Sequence, residues 1–457
     1  MFDRILVANR GEIAVRVIRA AHELGIEAVA VYSTADRDSQ HVRLADQAVC
    51  IGPPAAAESY LRIPSVIAAA ETTSCEAIHP GYGFLSENPA FVRACEDNDL
   101  VFVGPGAEVM ERMGDKARAK AEMGAAGVPL VPGTEGGATL ADVRVAAEEL
   151  GFPVLLKAVA GGGGKGMRLV HAPEELEAAF STARVEAEAA FSDGTLYLEK
   201  ALVPARHVEI QVLCDKQGGV LTLGERECSI QRRHQKLIEE SPSAALDPAT
   251  REAMEEAAER ACRTIGYENA GTFEFLIGAD GAFHFIELNA RLQVEHPVSE
   301  LVTGIDIVRE QLRIAAGEPL AVTGRAPRRG HALEFRLNAE DPARDFAPAP
   351  GRIDRFRPPL GPGVRVDTYL EEGSAISPYY DSMIAKLVVW AEDRPAAIAR
   401  GIRALEELEL DGVPTTRGLA LDILRSPEFG TGVYSTSFLD EMEGRLPSLA
   451  PAVEAAL

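Results

Sequence analysis

The chain has 457 residues, of which 46% are hydrophobic and 25% charged, and its formal net charge at pH 7 is −24. The length suits two to four globular domains. The acidic charge argues against binding to nucleic acid or to an anionic membrane surface, and no stretch reaches the roughly 18 apolar residues of a membrane span. The start lacks a signal peptide, and six scattered cysteines fit reduced thiols, so we expect a cytoplasmic protein.

The first hundred residues alternate short apolar strands with helices. Such alternation is typical of a doubly wound parallel sheet. The single Gly11 after the first strand does not form the G-x-G-x-x-G fingerprint of a dinucleotide site. The predicted strands are residues 5–8, 28–32, 77–79 and 100–103, and the predicted helices are residues 13–24 and 63–70.

A Gly- and Pro-rich passage at residues 131–137 looks like a hinge into a separate small unit. Up to about Leu202 the pattern predicts a helix, a strand at 154–159, a glycine run, a strand at 167–170, a long Ala/Glu helix and a strand at 195–199. We interpret this unit as a mobile lid. From His207 to Leu301 the chain is strand-rich, and from His331 onward it is mixed α+β.

Residues 154–170, VLLKAVAGGGGKGMRLV, contain the glycine run. A dinucleotide site would need a helix after it, and strand-like residues follow instead. The P-loop pattern fails because Val159 stands where its first glycine belongs and Gly166 follows Lys165. The pattern favours a flap whose backbone N–H groups fold over phosphates, with Lys157 reaching a nucleotide phosphate. A disordered glycine linker is the alternative.

Residues 287–295, ELNARLQVE, alternate polar and apolar side chains without a break. On an extended backbone, Glu287, Asn289, Arg291, Gln293 and Glu295 would share one face. A half-solvated strand is the ordinary interpretation of such alternation. Because this face carries two acids, one fixed cation and two amides, we interpret it as the centre of an active site.

A hairpin is predicted at GTFEFLIGADGAFHFIELN, with Asp280-Gly281 as its loop. That loop would place Glu274 directly opposite Glu287, with Asn289 on the same face. Two facing carboxylates are destabilising unless something neutralises them, and Mg²⁺ takes hard oxygen ligands of this kind. A metal site is therefore predicted. The alternatives are an acid pair with a raised pKa, or a register shifted by one residue.

Cations are concentrated at ERECSIQRRHQKLIEE, residues 225–240. Alternation would place Arg232, His234 and Lys236 on one face, which suggests an anion pocket. A solvated patch paired with nearby glutamates is the alternative. Further on, the alternating HALEFRLNAEDP would place Arg336 beside Glu334 and Asn338, a pattern that also fits a structural ion pair.

These motifs together resemble those of the biotin carboxylases, the ATP-grasp components of biotin-dependent acyl-CoA carboxylases. The resemblance covers nearly the whole chain. Its motifs are ANRGEIAVRVIRA, HPGYGFLSEN, MGDKARA, GGGGKGM, RHVEIQV, ERECSIQRRHQKLIEE, GTFEF, ELNARLQVEHPVSE, FRLNAEDP and YYDSMIAK. It implies an N-terminal Rossmann-like domain at 1–115, an ATP-grasp domain at 116–330 with a lid at about 133–203, and a C-terminal mixed α+β domain at 331–446.

The resemblance also implies the role of each site residue. Glu295 resembles the base that deprotonates bicarbonate, Arg336 the cation that stabilises the biotin enolate, and Tyr82 a position near the biotin ring. The implied metal ligands are Glu274 and Glu287, helped by Asn289, and the implied bicarbonate site is Lys236, Arg291, Gln293 and the Val294 backbone, with Lys236 and Arg291 also catalytic. The implied ATP contacts are Lys116, Lys157, Gly162, Gly163, Gly164, Met167, Glu199, Lys200, Leu202, His207, Gln231, His234 and Leu276.

The implied reaction uses ATP, with Mg²⁺ or Mn²⁺, to activate bicarbonate as carboxyphosphate and to carboxylate biotin, as the first half-reaction of an acetyl-CoA or other acyl-CoA carboxylase. The chain lacks the Met-Lys biotinylation signature and a carboxyltransferase segment. We therefore expect biotin on a separate carrier protein and a carboxyltransferase on other chains. A lysine at 165 in the flap leaves the acyl-CoA open. A homodimer is expected because Arg19, Glu23 and Arg365 match the family interface, although Pro362 replaces an aromatic residue there.

Two other functions compete with this one. An ATP-grasp ligase joining a carboxylate to an amine would share the flap and the metal acids, but it would lack the Arg291–Glu295 segment and Arg336. A non-catalytic nucleotide-binding module would have lost the base or a metal acid, and this sequence retains both.

Overall fold

A computed structural model describes residues 1–134, 136–159 and 166–450. The chain begins with a five-stranded parallel sheet in the order β3-β2-β1-β4-β5. Its elements are β1 (Arg4–Val7), α1 (Gly11–Glu23), β2 (Glu27–Ser33), α2 (Gln40–Leu44), β3 (Gln47–Gly52), α3 (Ile63–Thr72), β4 (Ala77–His79), α4 (Pro89–Glu96), β5 (Val101–Phe102) and α5 (Ala107–Gly114).

Helices cover both faces of this sheet. Ile13 and Val17 of α1 pack in one core with Ile5, while Phe91 of α4 packs in another with Leu6, because neighbouring strand residues point to opposite faces. The predicted doubly wound parallel sheet is confirmed. Strand order reverses between β1 and β4, and a crevice at such a point is the usual ligand site of this architecture.

The next segment forms a three-stranded antiparallel sheet in the order β7-β6-β8. Its elements are α6 (Lys116–Ala125), α7 (Leu140–Leu150), β6 (Val154–Ala158), β7 (Met167–Val170), α8 (Leu176–Phe191) and β8 (Leu196–Lys200). A capping box between Thr139 and Asp142 begins α7. The helices α7 and α8 cover the sheet in a separate small core that includes Val143, Leu156 and Ala183. The strands on either side of the glycine run agree with the sequence prediction, while residues 160–165 of the run lie outside the described residues.

A long sheet then runs in the order β13-β12-β9-β10-β11-β15-β22-β20, with β14 beside β10. Its first part comprises β9 (Arg206–Cys214), β10 (Val220–Arg232), β11 (Gln235–Ser241), α9 (Pro248–Ile265), β12 (Asn269–Ile277), β13 (Phe283–Asn289), α10 (His296–Thr303), α11 (Ile307–Ala315) and β14 (Gly324–Arg325). The region is strand-rich as predicted, but the 18-residue α9 was not predicted.

The last part is mixed α+β, as predicted. It comprises β15 (His331–Asn338), β16 (Glu340–Asp341), β17 (Ala347–Pro348), β18 (Gly351–Arg352), β19 (Arg355–Arg357), β20 (Val364–Thr368), β21 (Ala375–Ile376), β22 (Met383–Ala391), α12 (Arg394–Glu407), β23 (Glu409–Asp411), α13 (Arg417–Arg425), α14 (Pro427–Thr431) and α15 (Phe438–Glu441). β15 pairs with β11, so one sheet continues across residue 330. Among the described residues, no helix is long and apolar enough to cross a membrane.

Candidate active site

A cleft of about 1140 Å³ opens where the ends of β1 and β4 approach the face of the long sheet. Residues after β1, the loop after β4, and residues of β10 to β13, β15 and the lid all line it. Seventeen of the predicted site residues lie on its walls: Tyr82, Lys116, Lys157, Met167, Leu202, His207, Gln231, His234, Lys236, Glu274, Leu276, Glu287, Asn289, Arg291, Gln293, Val294 and Arg336. The predicted glycines at 162–164 lie outside the described residues.

A smaller cavity of about 320 Å³ adjoins the cleft under the lid. Its walls are mainly apolar, with Leu155, Met167, Leu202 and Leu276 among them, and Glu199 and Lys200 also line it. Apolar walls with a few polar groups suit a flat aromatic ring such as a nucleobase. The predicted nucleotide residues therefore divide between this cavity and the cleft.

Three lysines lie at the junction of the lid and the cleft. Lys157 Nζ donates to Glu199 Oε2 at 3.0 Å, and Lys120 also pairs with Glu199. Burial, opposed by the charge of Glu287, lowers the pKa of Lys116. These half-buried ammonium groups bring concentrated positive charge to one wall of the site, which favours an anion such as a nucleotide phosphate.

The hairpin of β12 and β13 places Glu274 directly opposite Glu287, as predicted. The predicted two-residue loop is wrong, however. Gly278 N donates to Ala282 O, so three residues form the loop. The strand pairs next to the loop, such as Ile277 with Phe283, are therefore shifted by one residue from the predicted register. A bulge near Ile286 then restores that register before Glu287.

The donor set formed by the hairpin fits a divalent ion. Burial and the charge of Glu274 raise the pKa of Glu287. Glu274 itself is ion-paired with Lys236 and His207, which lower its pKa. Asn289 Nδ2 is buried and makes no hydrogen bond within the described part of the chain, while its Oδ1 accepts from Arg291. Two carboxylates and an amide oxygen are the hard donors that Mg²⁺ prefers. The donor types of the predicted metal site therefore suit such an ion.

The segment after β13 does not continue as a strand, contrary to the prediction. β13 ends at Asn289, and Glu295 is the residue before α10. The backbone turns, yet the polar side chains still converge. Arg291 donates to Asn289 Oδ1 at 3.0 Å and to Gln293 Oε1 at 2.9 Å, and Gln293 Nε2 donates to Glu274 Oε1 at 3.2 Å.

Glu295 lies at the base of the site and is fully buried. Its Oε1 accepts from Lys236 Nζ at 2.6 Å, and its Oε2 accepts from Arg336 Nη2 at 2.9 Å. Burial opposes ionisation, but the charges of Lys236 and Arg336 outweigh it and hold the pKa of Glu295 well below its ordinary value. Lys236 Nζ also donates to Glu209 at 2.6 Å and to Glu274 at 2.9 Å. The site therefore contains an ionised carboxylate between two cations.

The basic cluster is a hairpin turn, not the single strand face that was predicted. Arg233 and His234 connect β10 to β11 with positive φ values of 47° and 65°. Arg232 and Arg233 both pair with Asp345, while Lys236 is buried and His234 lines the cleft. All four basic residues of this cluster therefore line the cleft, and the two arginines also pair there with an acid of the C-terminal part.

Tyr82 is held by groups from different parts of the fold. Asn9 Nδ2 donates to the carbonyl of Tyr82 at 2.8 Å, and the Tyr82 hydroxyl donates to Glu12. Lys386 Nζ lies 3.3 Å from Glu12 Oε1 and donates to the carbonyl of Val294 at 2.9 Å. The predicted biotin and bicarbonate residues are thereby connected through two buried charges.

Sequence reasoning missed four charged residues of the site: Glu12, Glu87, Lys120 and Glu209. Glu87 accepts from Arg291 Nε at 2.8 Å and lies in the HPGYGFLSEN motif. Glu209 shares a strand face with His207 in RHVEIQV, so alternation could have identified it. Neither Glu12 nor Lys120 has a local pattern that separates it from an ordinary helical residue.

A parallel sheet, a small three-stranded lid and a long antiparallel sheet with paired acids define an ATP-dependent ligase of the ATP-grasp type. Family models agree with this over most of the chain. They match the biotin carboxylase N-terminal domain at residues 1–110, the ATP-binding domain of the carbamoyl-phosphate synthase L chain at 115–323, and the biotin carboxylase C-terminal domain at 334–441. The chain belongs to the biotin carboxylase family.

Individual relatives are similar over nearly their whole length. A Nostoc biotin carboxylase is 54% identical over 96% of this chain and 99% of its own. A Campylobacter jejuni biotin carboxylase solved as a βγ-ATP complex has a TM-score of 0.93 at 48% identity, covering 96% and 99% of the two chains. The biotin carboxylase domain dimer of Hydrogenobacter thermophilus 2-oxoglutarate carboxylase, bound to MgADP and bicarbonate, has a TM-score of 0.92 at 48% identity, covering 97% and 98%.

Proposed function

We propose that this chain carboxylates biotin carried by another protein, converting ATP, bicarbonate and biotinyl carrier into ADP, phosphate and carboxybiotinyl carrier. It is a biotin carboxylase: its reactants are ATP, bicarbonate and biotin, and its metal is Mg²⁺. The observation that carries the division of roles is Glu295, buried and ionised between Lys236 and Arg336 at the base of the cleft.

Glu295 acts as the base for bicarbonate. Bicarbonate brings its own negative charge and competes with Glu295 for Lys236, while Arg291 and Gln293 supply further donors. Losing a cation raises the pKa of a carboxylate, so substrate binding makes Glu295 a stronger base at the moment it is needed. The deprotonated oxygen then attacks the γ-phosphorus of ATP, the bond to ADP breaks, and carboxyphosphate forms.

Glu274, Glu287 and Asn289 would hold the divalent ion. When bound, the ion neutralises negative charge on the nucleotide phosphates. Lys116 and Lys157 add positive charge from the lid side, and the apolar cavity beside them receives the adenine. A lid closed over the phosphates would lower the access of water to them, which strengthens every charge interaction beneath it.

Arg336 acts in the second half of the reaction. Carboxyphosphate breaks down to CO₂ and phosphate, the phosphate takes the N1 proton of biotin, and the ureido group attacks CO₂. The negative charge on the ureido oxygen accepts a hydrogen bond from Arg336, which is stronger than a bond between neutral groups. Tyr82 lines the same cleft and is linked to Val294 through the Glu12–Lys386 pair, which supports a place for the biotin ring near it.

Purified protein should hydrolyse ATP only when bicarbonate is present, and biotin should be consumed together with ATP. The assay measures ADP, phosphate and carboxybiotin with each reactant omitted in turn. An amine or amino acid that replaced both bicarbonate and biotin would contradict the proposal, because a carboxylate–amine ligase shares the acids and the lid. ATP binding without turnover under any of these conditions would indicate a non-catalytic module.

The partners are a biotinyl carrier protein and a carboxyltransferase on other chains, in a cytoplasmic complex, and the chain forms a homodimer. A solved relative that is a domain dimer supports the homodimer. The domains are 1–115, 116–330 with a lid at about 133–203, and 331–446, a division supported by the limits of the three family models. Light scattering and co-purification with a carrier test these assemblies, and cell fractionation tests the compartment.

A further inference from the structure

Two glutamates face each other beneath Arg336 in the long sheet. Glu239 of β11 and Glu334 of β15 are directly opposite in the antiparallel ladder. Both side chains are 0% exposed. Like charges at directly opposite positions of a sheet repel, and a buried charge without a partner is costly. The repulsion between the two carboxylates must therefore be relieved by a cation or by a proton.

The two carboxyl groups have different partners. Glu239 Oε1 accepts from Arg336 Nε at 2.5 Å. Glu239 Oε2 and both oxygens of Glu334 accept no hydrogen bond from the described residues. Glu239 therefore has a cation that stabilises its ionised form, and Glu334 has no direct partner of this kind. A single proton held by Glu334 removes the repulsion between them.

The surrounding charges also favour a proton on Glu334 and a negative charge on Glu239. The groups that face Glu334 are Lys386 on β22, Glu239 on β11, Arg336 on its own strand and Glu295 before α10. Burial and the two acids raise the pKa of Glu334 well above its ordinary value, although Lys386 and Arg336 act against them. Burial also raises the pKa of Glu239, to about 7, against the opposing charge of Arg336. Because only Glu239 accepts a hydrogen bond from a cation, Glu334 is the member that takes a proton shared by the pair.

We propose that Glu239 is a positioning residue for biotin carboxylation, kept ionised by its protonated neighbour Glu334 so that it holds the guanidinium of Arg336 through Nε. This inference rests on the proposed function. Arg336 also donates to Glu295 through Nη2. When Glu295 takes a proton from bicarbonate, that bond weakens, and Glu239 remains as the fixed partner. The guanidinium stays aimed at the cleft while the ureido oxygen becomes negative.

The test compares Glu239→Gln with Glu334→Gln in three assays: carboxybiotin formation, ATP hydrolysis with bicarbonate alone, and ATP affinity. Glu239→Gln should lower kcat for carboxybiotin at least about tenfold, with a smaller loss of hydrolysis and unchanged ATP affinity, because its effect passes through Arg336. Glu334→Gln should change carboxybiotin formation less than about threefold, since an amide resembles a neutral acid in shape and charge. Glu239→Asp, which keeps the charge, should recover part of the loss.

Glu240→Gln is the matched control. Glu240 follows Glu239 on β11, is equally buried, and accepts from Arg394 Nε at 2.7 Å on the other face of the sheet. It should lower thermal stability without changing the ratio of carboxybiotin formed to ATP hydrolysed. A drop in that ratio equal to the drop in Glu239→Gln would overturn the inference, because any buried glutamate would then give the same effect.

Infrared spectroscopy of the folded proteins tests the proton directly and does not depend on their activity. The wild-type minus Glu334→Gln difference spectrum should contain the C=O stretching band of a protonated carboxyl group. Absence of that band, or equal losses of carboxybiotin formation in Glu239→Gln and Glu334→Gln, would overturn the inference. A wild-type protein that forms no carboxybiotin would instead contradict the proposed function, so the two failures are distinguishable.

Discussion

Both oxygens of the Glu295 carboxylate accept a hydrogen bond from a cation, and this pairing explains why a fully buried acid stays charged. Charge pairs of this kind are costly to break when only one partner is removed. Bicarbonate that takes the place of Glu295 beside Lys236 keeps that cation paired, while Arg336 still pairs with Glu295. At the scale of single residues, the cations that the substrate anion needs are thus already in place in the resting site.

Replacing Arg336 should affect the carboxylation step much more than substrate binding. Arg336→Ala should lower carboxybiotin formation by about 100- to 1000-fold, as the loss of an oxyanion donor does, while ATP affinity stays within about threefold. Arg336→Lys should recover only part of this loss, because an ammonium lacks the planar fork of guanidinium. The measurement is biotin carboxylation beside nucleotide titration. A variant that fails only through lost ATP binding would remove Arg336 from the biotin site.

Glu240 makes a pH-dependent contribution to stability. Burial opposes its ionisation, but His331 and Arg394 lower its pKa to about 2, below its ordinary value near 4.5. A lowered folded-state pKa stabilises the protein above pH 4.5, and the contribution disappears as the pH falls through about 2. Glu240→Gln should therefore lose about 3 kcal/mol of unfolding free energy at pH 7, measured by urea denaturation. The difference from wild type should shrink between about pH 4.5 and 2; a constant difference would contradict this account.

The sequence identified which residues belong to the site better than it identified the residues that they pair with. Arg291, Gln293 and Glu295 were recognised by alternation, and they do lie at the site although their backbone is not a strand. The pairing of Lys236 with Glu209 and of Arg291 with Glu87 connects residues 27 and 204 positions apart, so no local pattern contains it. Long-range contacts of this kind depend on how the sheets pack.

At the scale of elements, the hairpin of β12 and β13 has the predicted pair of Glu274 and Glu287 but not the predicted loop. The loop has one residue more than expected, and the bulge near Ile286 compensates before Glu287. Glycine and aspartate signals locate a turn well but do not determine its length. The turn at Arg233 and His234 carries none of these signals, which is why the basic cluster was assigned to a single strand.

The facing acids of this hairpin should control the metal requirement. Glu274→Gln or Glu287→Gln removes one hard oxygen ligand, so each variant should need several-fold more Mg²⁺ to reach half of its maximal activity. Activity is measured over a Mg²⁺ titration at saturating ATP. Asp280→Asn, in the exposed loop of the same hairpin, is a control that keeps the wild-type requirement. Wild-type metal dependence in both glutamine variants would show that the acids bind no ion.

At the scale of the whole molecule, the small unit from α7 to β8 has its own core and adjoins the nucleotide cavity from one side. We predict that ATP orders it. Residues 154–159 and 166–170 should exchange amide hydrogens more slowly when ATP is bound, because closure protects the strands that flank the flap. Hydrogen exchange with and without ATP measures this. The parallel-sheet strands β1 and β2 are the internal reference, and equal exchange in the lid strands would contradict closure.

The order of strands and helices was predictable for the N-terminal sheet because its strands are local and separated by helices. The long sheet was less predictable, since β15 pairs with β11 across about ninety intervening residues. The domain boundary predicted at residue 330 marks a change in the pattern of strands and helices along the sequence. The sheet does not end there, because its hydrogen bonds join β11 on one side of the boundary to β15 on the other. The cleft forms where these parts meet, so its shape could not be derived from any one segment.

Glu295 should activate bicarbonate for transfer to biotin. The experiment follows the carbon of isotope-labelled bicarbonate into carboxybiotin, with ATP and Mg²⁺, in the wild type and in Glu295→Gln. The wild type should transfer the label. Glu295→Gln should transfer it at least about a hundredfold more slowly while binding ATP normally, which is the usual effect of losing a general base. Label transfer at the wild-type rate in Glu295→Gln would contradict the account.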